Sequence, residues 1–359
     1  MIKKRSLSVI FIILIVIITI SLIGCNKKEQ KKNDEISVVD SVGRTVKLRR
    51  NPQKVACISR TTYDLLVACG LGDKIDGAYK GTLNNEWLKY IDPNSKQYKV
   101  YDYKNSYETF LQRNVDLVFA PEKYIADDLN KHGIPALCVS LYGNPTFDES
   151  LTFFSELIRK LWNDEKVHEK SLKWENKVKN AIGEIKDELK KHNIPEQKIY
   201  YIRGDKNFGF KYTDQAGSFT EYAYRMLGYN FIGKYFNSTR PSEEEIIKQN
   251  PDAIVAGGIF QIKNIEAVKT NANLKNVNAI KNNKIYNIPI GATAFEQLSV
   301  MTPIFFYDQA NKLYPEYFNY DIAGLIYETI KESFNKELST SEIQYMLNGL
   351  SPIGQQLAK

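Results

Sequence analysis

Histidine is scarce in this chain: His132, His168 and His192 are the three in 359 residues. Each falls in a charged helical stretch and reads as a solvated helix residue. With so few imidazoles, a bare zinc or manganese site is hard to assemble. Cysteine is almost as rare. Beyond Cys25 there remain Cys57, Cys69 and Cys138, an odd number with no CxxC among them. That excludes a disulfide framework, and their apolar neighbours (VACIS, LLVACGLG, ALCVSL) mark buried free thiols. No GxxxxGK[ST] loop occurs, nor GxSxG, HExxH or a GxGxxG after the first strand, so familiar phosphate, nucleophile and zinc-protease chemistries have no foothold. Paired carboxylates suited to acid–base work are missing too. Glu122 follows a strand and reads either as a site group or as an exposed loop charge. The formal charge is +7, of which Lys3, Lys4 and Arg5 supply three, and no long block of one sign follows. Nucleic acid is therefore not a partner suggested by charge.

What is present begins with those three basic residues. An apolar run from Leu7 to Ile23 follows, ending Leu22-Ile23-Gly24-Cys25. This is the layout of a secretory signal. The junction resembles a bacterial lipobox, which makes Cys25 the lipidated first residue of the mature chain. A plain transmembrane anchor is the alternative, because the run approaches spanning length. Either way the remainder belongs on the outer face of the cytoplasmic membrane. Residues 26–35 (NKKEQKKNDE) bury nothing apolar and form a flexible tether.

Residues 36–147 make a first lobe. An alternating hairpin over 36–49 leads into compact apolar strands at Val55–Ser59, Lys74–Tyr79, Asp116–Ala120 and Ala136–Leu141, with helices between them. Strands alternating with helices give a parallel sheet covered on both faces. Residues 148–193 are helical. There Val167, Ser171, Trp174, Val178, Ile182, Ile185 and Leu189 keep one stripe over more than six turns, until Asn193 and Pro195 stop it. Residues 194–359 return to alternation, with strands at Lys198–Arg203, Asp252–Gly257 and Lys284–Ile290 and helices at the end. A weak repeat links the lobes: Glu108-x7-Asp116-Leu-Val and Glu244-x7-Asp252-Ala-Ile-Val. The fold class is α/β, two Rossmann-like lobes joined by one long helix. A cleft between such lobes is a natural small-molecule site.

In parallel sheets ligands meet the loops after the carboxyl ends of strands. In the first lobe these loops carry Arg60 and Tyr63, Lys80, Tyr124 and Tyr142, with Trp87 a little further on; in the second they carry Arg203, Phe208, Phe260 and Phe295. Basic groups suit carboxylate, catecholate or phosphate oxygens, and aromatic faces suit a planar or greasy chelate.

Taken in order, VVDSVGRTVKLRRNPQKVACIS, CGLGDKIDGAYKG, YETFLQRNVDLVFAPE, HGIPALCVSL, PSEEEIIKQNPDAIVAGG, NVNAIKNNKIYNIPIG, LYPEYFNYD and LSTSEIQYMLNG resemble the class III substrate-binding proteins of ABC importers. Members of that family carry ferric siderophores, haem or cobalamin. The resemblance implies a class III periplasmic-binding-protein fold whose rigid connecting helix corresponds to residues 164–192. It implies a monomer with no catalytic residue, no cofactor and no direct metal ligand. Its partners would be an ABC permease with its ATPase, docked through Glu108 and Glu244; Glu243 and Glu245 flank the latter and compete for the role. The cargo it implies first is a ferric siderophore, with haem, a corrinoid, a nickel chelate or an oxyanion as alternatives. A non-transporting surface sensor and an enzyme on the same scaffold are the readings of another class. Where many relatives carry a Trp after the IPIG-like strand, this chain has Ala294-Phe295.

Overall fold

A computed structural model of the protein describes residues 35–105, 107–140 and 147–358. Cys25, the signal segment and Tyr142 lie outside the described residues. The chain opens on an antiparallel hairpin, β1 (Glu35–Val39) and β2 (Thr45–Arg49), in register Glu35 to Arg49. Glu35, assigned to the tether by composition, is therefore the first ladder residue. Asp40 closes the turn by accepting from the backbone N–H of Val42 and Arg44. Gly43 there has φ +79°, a conformation that a Cβ would strain.

Two parallel sheets follow. The first lobe orders β5 (Lys99–Tyr101), β4 (Ile75–Tyr79), β3 (Val55–Cys57), β6 (Leu117–Ala120) and β7 (Ala136–Cys138). The second orders β9 (Tyr229–Phe231), β8 (Gln197–Ile202), β10 (Ala253–Ala256) and β11 (Ile285–Asn287). The central strands β3, β6 and β10 are buried throughout, which is why they read as continuous apolar runs and not as alternation.

The weak sequence repeat is a structural one. Asp116 accepts the backbone N–H of Lys54 at 3.0 Å, and Asp252 accepts that of Lys198 at 2.9 Å. Each aspartate returns its own N–H to the same lysine's carbonyl at 2.8 Å. Each lysine ammonium then closes the preceding helix, on Arg113 O or Gln249 O. Asn114 and Asn250 both take left-handed backbone at the equivalent turn. Gln53-Lys54 and Gln197-Lys198 thus open equivalent central strands, and β4-β3-β6-β7 matches β9-β8-β10-β11.

The connecting helix runs Glu165–His192, roughly 42 Å at 1.5 Å per residue. Asp164 caps it by accepting from the N–H of Lys166 and Val167. Asn193 ends it at φ 48°, and Lys190, Lys191 and His192 complement its carboxyl end. The buried stripe includes Val167, Ser171, Trp174, Val178, Ile182 and Ile185. It packs on the helices Phe147–Leu161 and Thr302–Leu313, and Trp174 Nε1 donates to Ser299 O at 3.0 Å.

The lobes are joined by more than that helix. Asn85 of the first lobe donates to Gly291 O and Ala292 O of the second, both at 2.9 Å. Trp87 Nε1 donates to Leu350 O at 2.7 Å, and the Tyr90 hydroxyl donates to Glu342. Glu342 belongs to the helix Thr340–Leu347, which Ser339 opens with a full capping box. One hydrophobic core runs through both lobes. Large rigid-body opening would break these contacts, so the geometry favours small closure.

The histidines divide. His132 stacks on Tyr107 and His192 on Tyr317 at the surface. His168, read from sequence as solvated, is half-buried with Nε2 2.7 Å from Trp162 O; it ties the start of the long helix to the turn before it. Cys57, Cys69 and Cys138 are free and buried.

Candidate functional site

The carboxyl ends of both sheets meet across a cleft of about 700 Å³. From the first lobe it is lined by the turn after β3 (Ser59, Arg60, Thr61), by Asn85 and Glu86, by Tyr103, and by Pro121 and Glu122 after β6. From the second come Tyr201, Arg203 and Gly204 after β8, Asp214, Gly258 to Phe260 after β10, and the segment Ala292–Leu298 after β11. Arg60 lies six residues past Lys54 and Arg203 five past Lys198, so the repeat places the two arginines in near-equivalent positions on opposing walls.

The two arginines are held differently. Arg60 Cζ sits 5.0 Å from the centre of the Tyr79 ring, and Tyr79 stacks on Tyr103 at 4.3 Å. The guanidinium is thus positioned over an aromatic face and stays exposed. Arg203 pairs with Asp214 at 3.0 Å, and Asp214 also accepts from Thr220 Oγ1 at 2.7 Å. Its charge is therefore largely matched within its own lobe.

Of the ten sequence-derived ligand candidates, the cleft brings together Arg60, Arg203 and Phe260. Tyr63 is fully buried and donates to Asp92. Trp87 is fully buried and engaged with Leu350. Phe295 is fully buried in the common core. These three are core residues, because the chain turns inward after each strand and a large ring gains more from burial than from the rim. Lys80 is half exposed and ion-paired to Asp102, outside the lining. Tyr124 is exposed beyond it, and Phe208 lies under Arg240 at 4.0 Å.

Sequence reading missed the cleft's most constrained group, Glu296. It is 6% exposed yet lines the cavity. Oε1 accepts the Gly258 N–H at 2.9 Å and faces the Tyr201 hydroxyl at 3.3 Å. Oε2 is buried with no hydrogen-bond partner among the described residues. A Cβ at Gly257 would stand 2.4 Å from Oε1, so the backbone approaches the carboxylate closely only because that position is glycine. Burial pushes the carboxyl up to about 7. The available sequence signal was the pair Gly257-Gly258 at the end of β10, which indicates that something comes close there.

Among the described residues, no group of three or more His, Cys, Asp or Glu is placed to hold a metal ion, and no helix is long and apolar enough to cross a membrane.

The sequence profile of the family described as "Periplasmic binding protein" matches residues 55–290. The chain belongs to that family. Among curated relatives, the binding protein is 23% identical over 284 residues to the uncharacterized ABC transporter substrate-binding lipoprotein YvrC of Bacillus subtilis, covering 75% of this chain and 86% of that one. Its fold matches the molybdate-bound MolA of Haemophilus influenzae with TM-score 0.69 at 15% identity, over 85% of this chain and 99% of that one. It matches the nickel–histidine complex of CeuE from Helicobacter pylori with TM-score 0.67 at 18% identity, over 87% and 99%. The class III resemblance and the two-lobed α/β architecture are thus both established.

Outside the cleft, Glu108 and Glu244 are exposed. Glu108 stands in the first turn of Tyr107–Gln112, and Glu244 in that of Glu243–Gln249. These helices run back to feed β6 and β10, so both glutamates stand at the cleft end of their lobes. In the triplet, Glu245 is committed to the capping box of Ser242, and Glu243 accepts from Asn273. Glu244 is held below the ordinary carboxylate range, first by a backbone hydrogen bond at its helix start and then by Ser242, so it stays ionised.

Proposed function

We propose that this protein is the solute-binding lipoprotein of an ABC importer, anchored through Cys25 outside the cytoplasmic membrane, that carries a metal chelate, a ferric siderophore, to its permease. The observation that carries the reading is the cleft of about 700 Å³ lined from both lobes, in a chain of the periplasmic binding protein family. A bare oxyanion would leave most of that volume empty, whereas a chelate of drug-like size fills it. The chelate brings its own donor atoms, so the protein supplies shape, the Arg60 charge and the walls around Tyr103 and Phe260. Binding, not bond chemistry, is the function.

Glu108 and Glu244 present the loaded lobes to basic residues of the permease. Exposed ion pairs are individually weak, so delivery depends on both acting together. Their equivalence in the structural repeat supports a matched pair of docking points.

Thermal unfolding of soluble residues 26–359 against ferric hydroxamates and catecholates, haem, cobalamin, nickel–histidine and molybdate tests the cargo. A ligand at about 100 times its Kd adds about 2.7 kcal/mol and raises the midpoint by about 4 °C. A shift with ferric siderophores supports the reading. A shift with molybdate or nickel–histidine alone replaces the cargo, and no shift with any chelate removes it.

A further inference from the structure

The charges facing the cleft do not suit an anion of high charge. Among the described residues, two cationic side chains, Arg60 and Arg203, line it against four anionic ones, Glu86, Glu122, Asp214 and Glu296. The formal sum is −2, and still −1 with Glu296 protonated. Arg203 lies over the Tyr212 ring and is already matched by Asp214, whereas Arg60, on the opposing wall, lies over the Tyr79 ring. A cavity of low dielectric strengthens such a field.

Glu296 sharpens this into a specific contact. One carboxylate oxygen is held by Gly258 N–H. The other is buried with no hydrogen-bond partner among the described residues, in a side chain that lines the cleft. A buried acceptor left unmet is disfavoured unless something arrives to meet it. The Gly257 backbone leaves room for the carboxylate and for no side chain of its own.

We propose that Glu296 Oε2 receives a hydrogen-bond donor or cationic group of the cargo, so that the cleft selects neutral or cationic chelates over polyanionic ones. This rests on the binding-protein reading above and narrows its cargo. A ferric trihydroxamate bearing an ammonium arm fits: the arm reaches Glu296 and the chelate oxygens meet Arg60. A trianionic ferric tris-catecholate meets net repulsion.

The test is fluorescence titration of soluble residues 26–359 with three probes: an ammonium-bearing ferric trihydroxamate, a neutral ferric trihydroxamate and a trianionic ferric tris-catecholate. The wild type should bind the ammonium-bearing complex at least about ten-fold tighter than the trianion. Glu296→Gln should weaken the ammonium-bearing complex by about ten-fold or more and leave the trianion unchanged or tighter. Preference of the wild type for the trianion, or equal Kd values for wild type and variant, overturns the charge inference and leaves the metal-chelate reading standing. Binding of none of the three overturns that reading and this inference with it. The wild-type ratio needs no variant, so the inference stays testable should Glu296→Gln fail to fold.

Discussion

Glu296→Gln should change stability in a pH-dependent way whose sign follows from burial. The carboxyl stands at about 7 in the fold against an ordinary 4.5, first because burial penalises the ionised form. Below about pH 4.5 folded and unfolded chains both hold the proton, and nothing is lost. As pH rises toward 7 the unfolded chain ionises while the folded one keeps its proton, so stability falls. Above 7 the loss is complete. A gap of roughly 2.5 pH units corresponds to about 3 kcal/mol. Glutamine carries no charge and escapes this loss. Its buried amide adds a constant cost, so the quantity to read is the change in the difference between the two proteins, not its absolute value. Asp64, likewise pushed up to about 7 by burial, is present in both and cancels. Urea unfolding of each protein near pH 4 and near pH 8.5 measures the effect. The variant should gain about 3 kcal/mol relative to wild type across that range. Parallel pH profiles would refute the assignment of a buried carboxyl with a raised pKa in the cleft wall.

Other consequences follow from the packing. Asp164→Ala removes the cap of the long helix and should cost about 1 kcal/mol by chemical denaturation. Trp174→Ala empties a buried site between that helix and the second lobe and should cost about 3–5 kcal/mol. Burial pushes the Cys57 and Cys69 thiols up to about 12, so a thiol reagent near pH 8 should label neither until urea unfolds the chain.

Much of the architecture was legible because burial left periodic marks. The Glu165–His192 helix carries its stripe through more than six turns, β3, β6 and β10 are central strands with uninterrupted apolar runs, and β8 carries one from Ile199 to Ile202. The strands absent from the sequence reading, β5 and β9, are both sheet edges of three residues. Lys99 and Val100 of β5 are exposed, and Asn230 interrupts the apolar pair in β9, so neither strand shows an apolar run. The helix Gln261–Thr270 was missed because its buried positions include Gln261 and Asn264, which a hydrophobic pattern cannot register.

The site was less legible. Arg60 and Arg203 follow from the rule of strand carboxyl ends, since long cationic side chains reach out from the turn. Tyr63, Trp87 and Phe295 occupy similar sequence positions but turn into the core, and local sequence does not distinguish an inward from a cleft-facing ring. Glu296 was invisible for a different reason: a lone glutamate in a loop is ordinarily solvated, and only the approach of Gly257 and Gly258 from another strand buries it.

Delivery of a bound chelate to a permease would pass through one glutamate on each lobe, Glu108 and Glu244. Uptake of radiolabelled ferric trihydroxamate by cells lacking this chain, complemented with wild type or with Glu108→Ala/Glu244→Ala, tests it most directly. Wild type should restore uptake, the double variant should lose it, and the purified double variant should bind the same chelate with unchanged affinity. Full uptake through the double variant, or uptake that never depended on this chain, would contradict it.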